Sequence, residues 1–494
     1  MLHSIDFGSR TAEDEADGLS KYFIETDQWK RVLRGDIDII YGAKGAGKSA
    51  IYTLLDKSRD YLFGGGIIVA SAENPRGATV FRNMVADPPA TEQEFVYFWK
   101  VYILGILGKQ FVQYNLSRQK AANFVSHVQE MNLLPEQGGL SKLFKSAKSV
   151  VSDLLKRRAM KVTWSASIDP STGIPLPART AEYESAAAKS KNDLLDSFDV
   201  DDALHQASEA LHEEDFKCWI LFDRLDVAFQ ESKDLEKNAL RALFKVYNDL
   251  KGLPQIGLKI FVRDDIWRRI TETGFAEASH ITRSVTIRWD KESLLNLAVR
   301  RLLNNQSISE LFMEDQSAIL RNFEIQSNLF YYFFPDQIDS GVNKADTFEW
   351  ILGRTKDGTG LNTPRELIHF LTELRNEQLR RLERGDEPPL GTQLFDRSVF
   401  KPALKIVSEA RLAQTLFAEY PEMQSRITAL KQERTLHTAA TLSNVWQVDI
   451  AEAQSCAMKL VGIGFFEQRG NKVTPQFWVP FIYREALEMV QGTA

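Results

Sequence analysis

Cysteine is scarce: Cys218 and Cys456 are the only two in 494 residues. They lie far apart and have no metal-ligand neighbours, so neither a disulfide framework nor a zinc site is expected. That usage fits a reducing cytoplasm. Charge of one sign is not in large excess either. Lys and Arg number 61 against 67 Asp and Glu, a formal net charge of −6. This argues against a protein that coats nucleic acid with its whole surface, while local basic patches stay compatible with it. Long apolar runs are missing as well. The most apolar, Val96 to Leu107, is broken by Lys100 and is too short to span a bilayer. Glu13, Asp14, Glu15 and Asp17 stand where a secretory signal would be basic and then apolar. No membrane partner is expected. Tandem repeats and low-complexity tracts are not evident. What remains is an ordinary globular composition, 44% hydrophobic and 26% charged, on a chain long enough for about two to four domains.

The most informative stretch runs from Ile37 to Tyr52. It reads as a largely buried strand, a glycine loop and the start of a helix. Asp38 is the one polar residue in that strand, near its entry end, where water is close. Gly42, Ala43, Lys44, Gly45, Ala46, Gly47, Lys48 and Ser49 match the G-x-x-x-x-G-K-[ST] phosphate-binding pattern in full, with Ala50 opening the helix. Glycines let the backbone curl and bring its N–H groups to phosphate oxygens. The helix behind them points its positive end at the same anion. Lys48 reaches the β- and γ-phosphates, and the Ser49 hydroxyl is placed for Mg²⁺.

A second motif follows about 175 residues later. Lys217 to Phe222 is an apolar strand that ends in Asp223. A carboxylate at a buried strand tip beside a phosphate loop is what Mg²⁺ needs. Asp226, a turn further on, is a candidate to orient or deprotonate the attacking water, or else a helix cap. Leu258 to Val262 is another buried strand, with Arg263 at its end. Strand C-termini line the ligand crevice of a parallel sheet. Arg263 is therefore placed to sense a γ-phosphate, or to pair with Asp264 or Asp265. Arg268 and Arg269 on the next helix are candidates for an arginine supplied to a neighbouring subunit. Ser284 to Trp289 alternates like a final strand.

The rest of the chain reads around these motifs. Phe7, Tyr22 and Trp29, ahead of the first strand, can stack on a base or pack against the domain. Glu92 to Tyr114 is an aromatic-rich helix whose Phe95, Phe98, Trp99 and Tyr102 read as core. Residues 115–210 form an insertion with a basic stretch (Lys142, Lys145, Lys148, Lys156, Arg157, Arg158, Lys161), a turn region at Pro170 to Pro177 and an acidic run from Asp193 to Asp202. These charges either pair internally or meet a nucleic-acid backbone. From Lys291 the spacing is helical. Thr363 or Asn362 caps a helix with Pro364 at its first position. Arg365 stands at that helix start, where a cation is disfavoured unless an anion is near. A bound nucleotide is one such anion and Glu366 is another. After a linker at 384–392 come helices, Phe400 to Tyr420, Met423 to Lys431 and Ile450 to Val461, and two short β runs around Arg469 and Lys472. This order resembles a winged helix, although its presumed reading helix carries only Lys459 as a base.

Taken together, Gly42–Ser49, Asp223 with Asp226, Arg263, Thr363-Pro364-Arg365 and the winged-helix tail resemble ATPases of the AAA+/STAND type, including initiator-like members. Residues up to about 55, with Phe7-Gly8 and Tyr41 to Tyr52, resemble more narrowly a group of bacterial P-loop ATPases. The resemblance implies a parallel α/β P-loop NTPase core with a large helical insertion, a helical lid and a C-terminal winged-helix-like domain. The expected division is 1–114 and 211–290 for the core, 115–210 for the insertion, 291–383 for the lid and 384–494 for linker and tail. It implies ATP and Mg²⁺ as cofactors, Lys48, Asp223, Asp226 and Arg263 as catalytic residues, Ser49 and Asp223 at the metal, and Arg365 as the lid arginine. Arg224 follows Asp223 where many AAA+ proteins carry a second acid, which leaves the base open. The expected activity is an ATP-hydrolysing switch that oligomerises or controls an effector, a role that some relatives play in anti-phage defence. The alternatives are a DNA-engaging ATPase and a nucleotide-binding scaffold.

Overall fold

The computed structural model describes residues 1–11, 14–15, 18–24, 26–73, 91–134, 139–161, 165–168, 175–178, 199–225, 232–312, 316–471 and 474–493. Asp226, Lys472, Ala186 to Ala188 and the acidic residues before 199 lie outside them. So do the side chains of Lys156, Arg157, Arg158 and Lys161.

Five strands form a parallel sheet: β1 (Ile39–Gly42), β2 (Ile67–Ser71), β5 (Lys217–Phe222), β6 (Ile256–Arg263) and β7 (Ser284–Ile287). A short antiparallel hairpin, β3 (Ser165–Ile168) with β4 (Pro175–Ala178), lies within the insertion. The sheet order is β2-β5-β6-β1-β7, and every pairing is parallel. Parallel sheets need cover on both faces, which is why these strands read as continuous apolar runs. Successive side chains go to opposite faces. Ile39, Tyr41, Ile220 and Ile260 join one apolar cluster, while Ile40, Leu221 and Phe261 join another.

The first face is covered by α2 (Glu92–Gln113). Its aromatics Phe95, Phe98, Trp99 and Tyr102 are buried, as expected of core. They are not confined to a stripe, because burial continues around the helix through Val101, Ile103, Leu104, Ile106 and Leu107. By length and composition α2 is the one helix among the described residues apolar enough to cross a membrane, yet 72% of its apolar window is buried inside the protein. Lys100 is accommodated there by Asp201 at 2.8 Å and Asp249 at 2.7 Å. The insertion helices α3 (Gln119–Glu130), α4 (Leu140–Lys161) and α5 (Val200–Glu213) share the same cluster through Phe124, Phe144 and Leu204. Charge pairing crosses from α3 to α5, with Lys120 2.8 Å from Glu209.

The second face is covered by α1 (Lys48–Lys57) and the leader. Asp38 departs from expectation. It is 9% exposed and is satisfied from within, by Lys259 at 2.9 Å, Arg283 at 2.9 Å and Tyr247 at 3.2 Å. A buried carboxylate is tolerable only with such partners. Burial in turn pushes the Lys259 pKa below its ordinary value.

Beyond the sheet, α6 (Lys233–Asp249) and α7 (Asp264–Thr271) flank β5 and β6. A helical lid follows: α8 (Lys291–Leu303), α9 (Phe323–Phe333), α10 (Thr347–Thr355) and α11 (Pro364–Glu383). Its core also takes in Leu2, Ile5 and Phe7 from the start of the chain, and Phe400 and Leu404 from α12 (Phe400–Arg411). A π-helical stretch, Leu412–Phe417, leads into the tail. The tail contains β8 (Arg434–Thr438), α13 (Ala439–Trp446), α14 (Ile450–Gly462), β9 (Glu467–Gly470), β10 (Pro475–Trp478) and β11 (Val490–Thr493). Its sheet runs β11-β8-β10-β9. The β9–β10 hairpin and α14 match the winged-helix expectation. The elements β8 and α13 were not expected, since Arg434 to Thr438 is short and carries mixed polarity.

Candidate nucleotide-binding site

The loop after β1 forms as its glycines require. Gly45 and Gly47 have φ of +83° and +99°, in the left-handed region that only glycine enters cheaply. Gly47 is the N-cap of α1, and the helix N-terminus opens directly onto the loop. Lys48 folds back over it and donates to Gly42 O at 2.8 Å and Ala43 O at 2.9 Å. Trp289, just past β7, holds the loop from outside by donating to Ala46 O at 2.8 Å.

Sheet topology then delivers the distant acid. Two strands pair between β2 and β1, so Asp223, one residue beyond β5, comes out at the same carboxyl edge as the loop. Ser49 Oγ donates to Asp223 Oδ2 at 3.1 Å. Residues 174 apart in sequence thus meet where a hydroxyl and a carboxylate can share one Mg²⁺ and leave its other positions to water and phosphate. Among the described residues no group of three or more His, Cys, Asp or Glu forms a metal cage. A two-ligand set of this kind is what Mg²⁺ uses at triphosphates. Arg224 follows in the left-handed region, at φ +57°. That turn ends the strand sharply beside the site.

A cleft of about 620 Å³ lies over this edge, lined by Lys44, Gly45, Gly47, Lys48, Ser49, Ala50, Asp223, Arg263 and Arg365. Arg263 emerges from β6 into it. Its guanidinium meets Asp265 at 3.0 and 2.9 Å, so the ion-pair reading is realised inside the cleft. Burial alone would raise the Asp265 pKa, but Arg263 outweighs it and holds it low. Arg269 also lines the cleft, in its own chain, and pairs with Glu236 of α6. Arg268 is exposed. Arg365 stands at the N-terminus of α11, against the loop: a β-carbon added to Gly45 would lie 2.9 Å from Arg365 Cβ. Glu366 does not serve Arg365. Its carboxylate is taken by Arg411 at 2.8 Å. Thr363 holds the N-cap position of α11, but its hydroxyl makes no cap bond.

A smaller cavity of about 110 Å³ adjoins the loop and is lined by Leu19, Tyr22, Phe23, Ala46, Trp289 and Arg365. Of the three leader aromatics, only Tyr22 faces it. Phe7 is in the lid core and Trp29 packs behind α1. The leader is pinned by Arg301 of α8, which meets both Glu15 oxygens at 2.7 Å and lies 4.6 Å from the Tyr22 ring.

Three cleft residues carried no sequence signal. Glu236 looks like one more acid on an amphipathic helix. Glu419 and Tyr420 end a helical run 156 residues or more after β6, and only the docking of the tail brings them to Arg263 and Asp265.

Loop geometry and parallel sheet together define an α/β P-loop fold. No family model matches the chain. An Escherichia coli (strain K12) protein described as an 80.3 kDa protein of transposon gamma-delta is 23% identical over 304 residues, covering 60% of this chain. The match spans 39% of that relative's length. Among solved structures, the Aeropyrum pernix ORC1 protein in complex with DNA superposes with a TM-score of 0.36 at 10% identity, over 93% of this chain and 91% of that one. The Aeropyrum pernix ORC2 protein, in ADPNP–ADP complexes, gives 0.29 at 12% identity, over 98% and 96%. Both scores describe a loose overall superposition.

Proposed function

We propose that the chain binds ATP at the loop after β1, hydrolyses it, and uses the nucleotide to change how lid and tail sit on the core, as an AAA+-type switch. The observation that carries this reading is the 3.1 Å bond between Ser49 and Asp223 at the mouth of a complete phosphate-loop motif. In this reading the loop amides and Lys48 hold the phosphates, and Ser49 and Asp223 hold Mg²⁺. The metal would neutralise charge on the β- and γ-oxygens. Arg263 reads the terminal phosphate from the end of β6. Arg365 carries its presence to the lid, because the start of α11 packs on Gly45. Asp226 orients water in this scheme on sequence grounds alone. The small cavity beside Tyr22 takes the base. Two unpaired cysteines support a cytoplasmic setting. Self-association and a separate effector belong to the same proposal, and the link to anti-phage control rests on the resemblance alone.

Lys48→Ala is expected to abolish nucleotide binding, measured with a fluorescent ATP analogue. Wild-type affinity in a folded Lys48→Ala protein refutes the site.

A DNA-engaging ATPase is the second reading, supported by the winged-helix-like sheet and by exposed Lys142 and Lys145 on α4. Against it, Arg469 on β9 is committed to Glu467 at 2.7 Å and stacks 3.7 Å from Trp478. Salt-dependent DNA binding that weakens in Lys142→Ala/Lys145→Ala would favour this reading. No binding at low salt removes it.

A further inference from the structure

Glu419 reaches the phosphate loop from far along the chain, just beyond the π-helical stretch Leu412–Phe417. Wide turns of this kind are rare and concentrate at functional sites. Directly after this one, Glu419 and Tyr420 meet residues at the carboxyl edge of the sheet. The Glu419 carboxylate is divided there between two cations. Oε1 pairs with Lys44 Nζ of the loop, and Oε2 accepts from Arg263 Nη2 at 2.8 Å. Tyr420 adds a bond from its hydroxyl to Asp265 at 3.3 Å. Burial alone would raise the Glu419 pKa, but Arg263 and then Lys44 outweigh it and hold it below the ordinary carboxylate range. Glu419 is therefore an anion, 20% exposed, lying across the two cations that flank the loop. It presents to them two charged oxygens, as a terminal phosphate does.

We propose that Glu419 competes with the γ-phosphate of a bound nucleoside triphosphate for Lys44 and Arg263, so that a triphosphate in the cleft frees the tail from the core. The proposal rests on the nucleotide reading above. A diphosphate has no γ-phosphate and leaves the Glu419–Arg263 pair made. The tail is then held in one nucleotide state and released in the other.

The test compares ATP and ADP affinities of the full chain in the wild type, Glu419→Gln and Lys48→Ala, with thermal unfolding to check folding. Glu419→Gln is expected to tighten ATP about tenfold, which is about 1.4 kcal/mol, and to change ADP by less than about twofold. Equal ATP affinities in wild type and Glu419→Gln, both lost in Lys48→Ala, overturn the competition and leave the nucleotide site standing. Failure of both folded proteins to bind either nucleotide overturns both ideas. Should Glu419→Gln not fold, Glu419→Asp, which keeps the charge but shortens its reach, is read in the same assay. An ATP affinity unchanged from wild type there also overturns the proposal.

Discussion

Arg411 and Arg263 each bridge two carboxylates at the border of the tail, one toward the lid and the other toward the sheet. Arg411 ends α12 and meets Glu366 at 2.8 Å and Asp357 at 3.0 Å. Its side chain is 8% exposed and Glu366 is buried with it, while Asp357 is half-buried at the edge of the joint. Arg263 meets Asp265 and Glu419 at 2.9 and 2.8 Å, but its side chain is 16% exposed and opens onto the cleft. The charge pattern is the same and the surroundings differ. The Arg411–Glu366 pair is buried on both sides, so it behaves as a fixed joint. A pair facing the open cleft is the one that, in the proposal above, exchanges its carboxylate for another anion. Burial, more than the number of ion pairs, sets the two arginines apart.

The comparison breaks most visibly at the sealed joint. Arg411→Leu strands the buried Glu366 carboxylate and is expected to cost about 3–5 kcal/mol in denaturant unfolding. A loss below about 1 kcal/mol would mean that the joint is not closed to water. A smaller effect is expected on the cleft side from Gly45→Ala. The residue must hold φ +83° and its new carbon lies 2.9 Å from Arg365 Cβ. A cost of about 1–3 kcal/mol follows from the backbone strain, with weaker nucleotide binding as the lid helix is pushed off the loop. Unchanged stability and affinity would show that α11 does not rest on the loop.

The smallest expected effect is a dependence on pH. His369 lies one turn beyond Glu366 on α11. Burial, and then the Arg10 charge, hold its pKa below the ordinary value. The fold therefore favours the neutral ring. The stability this contributes is present above the ordinary His pKa of about 6.5 and is lost as pH falls below it. Melting temperature should drop between about pH 7.5 and 5.5, and the drop should shrink in His369→Gln. An identical pH slope in that variant would assign the effect elsewhere.

Much of the site was legible because its logic is local. Gly42 to Ser49 are contiguous, and left-handed glycines followed by a helix N-terminus follow from residue type alone. Asp223 and Arg263 were legible at one remove, since each ends an apolar run and parallel strands end at one edge. Arg365 was placed by the Thr-Pro start of α11. Asp38 misled, because no local rule reveals that Lys259 and Arg283 meet it inside. Glu236, Glu419 and Tyr420 were illegible, being ordinary residues on ordinary helices. The wide turn before Glu419 has no signature in the Leu412-to-Phe417 stretch.

Residue order by itself determined the phosphate loop, the buried strands and the apolar faces, because backbone freedom and side-chain periodicity act within a few residues. Only the tertiary structure decided which acid meets Ser49, which carboxylates neutralise Arg263 and Arg411, and that the tail touches the loop. Those outcomes depend on strand order and on the docking of helices hundreds of residues apart. A charge finds its partner there through the packing of apolar surface that it does not itself contribute.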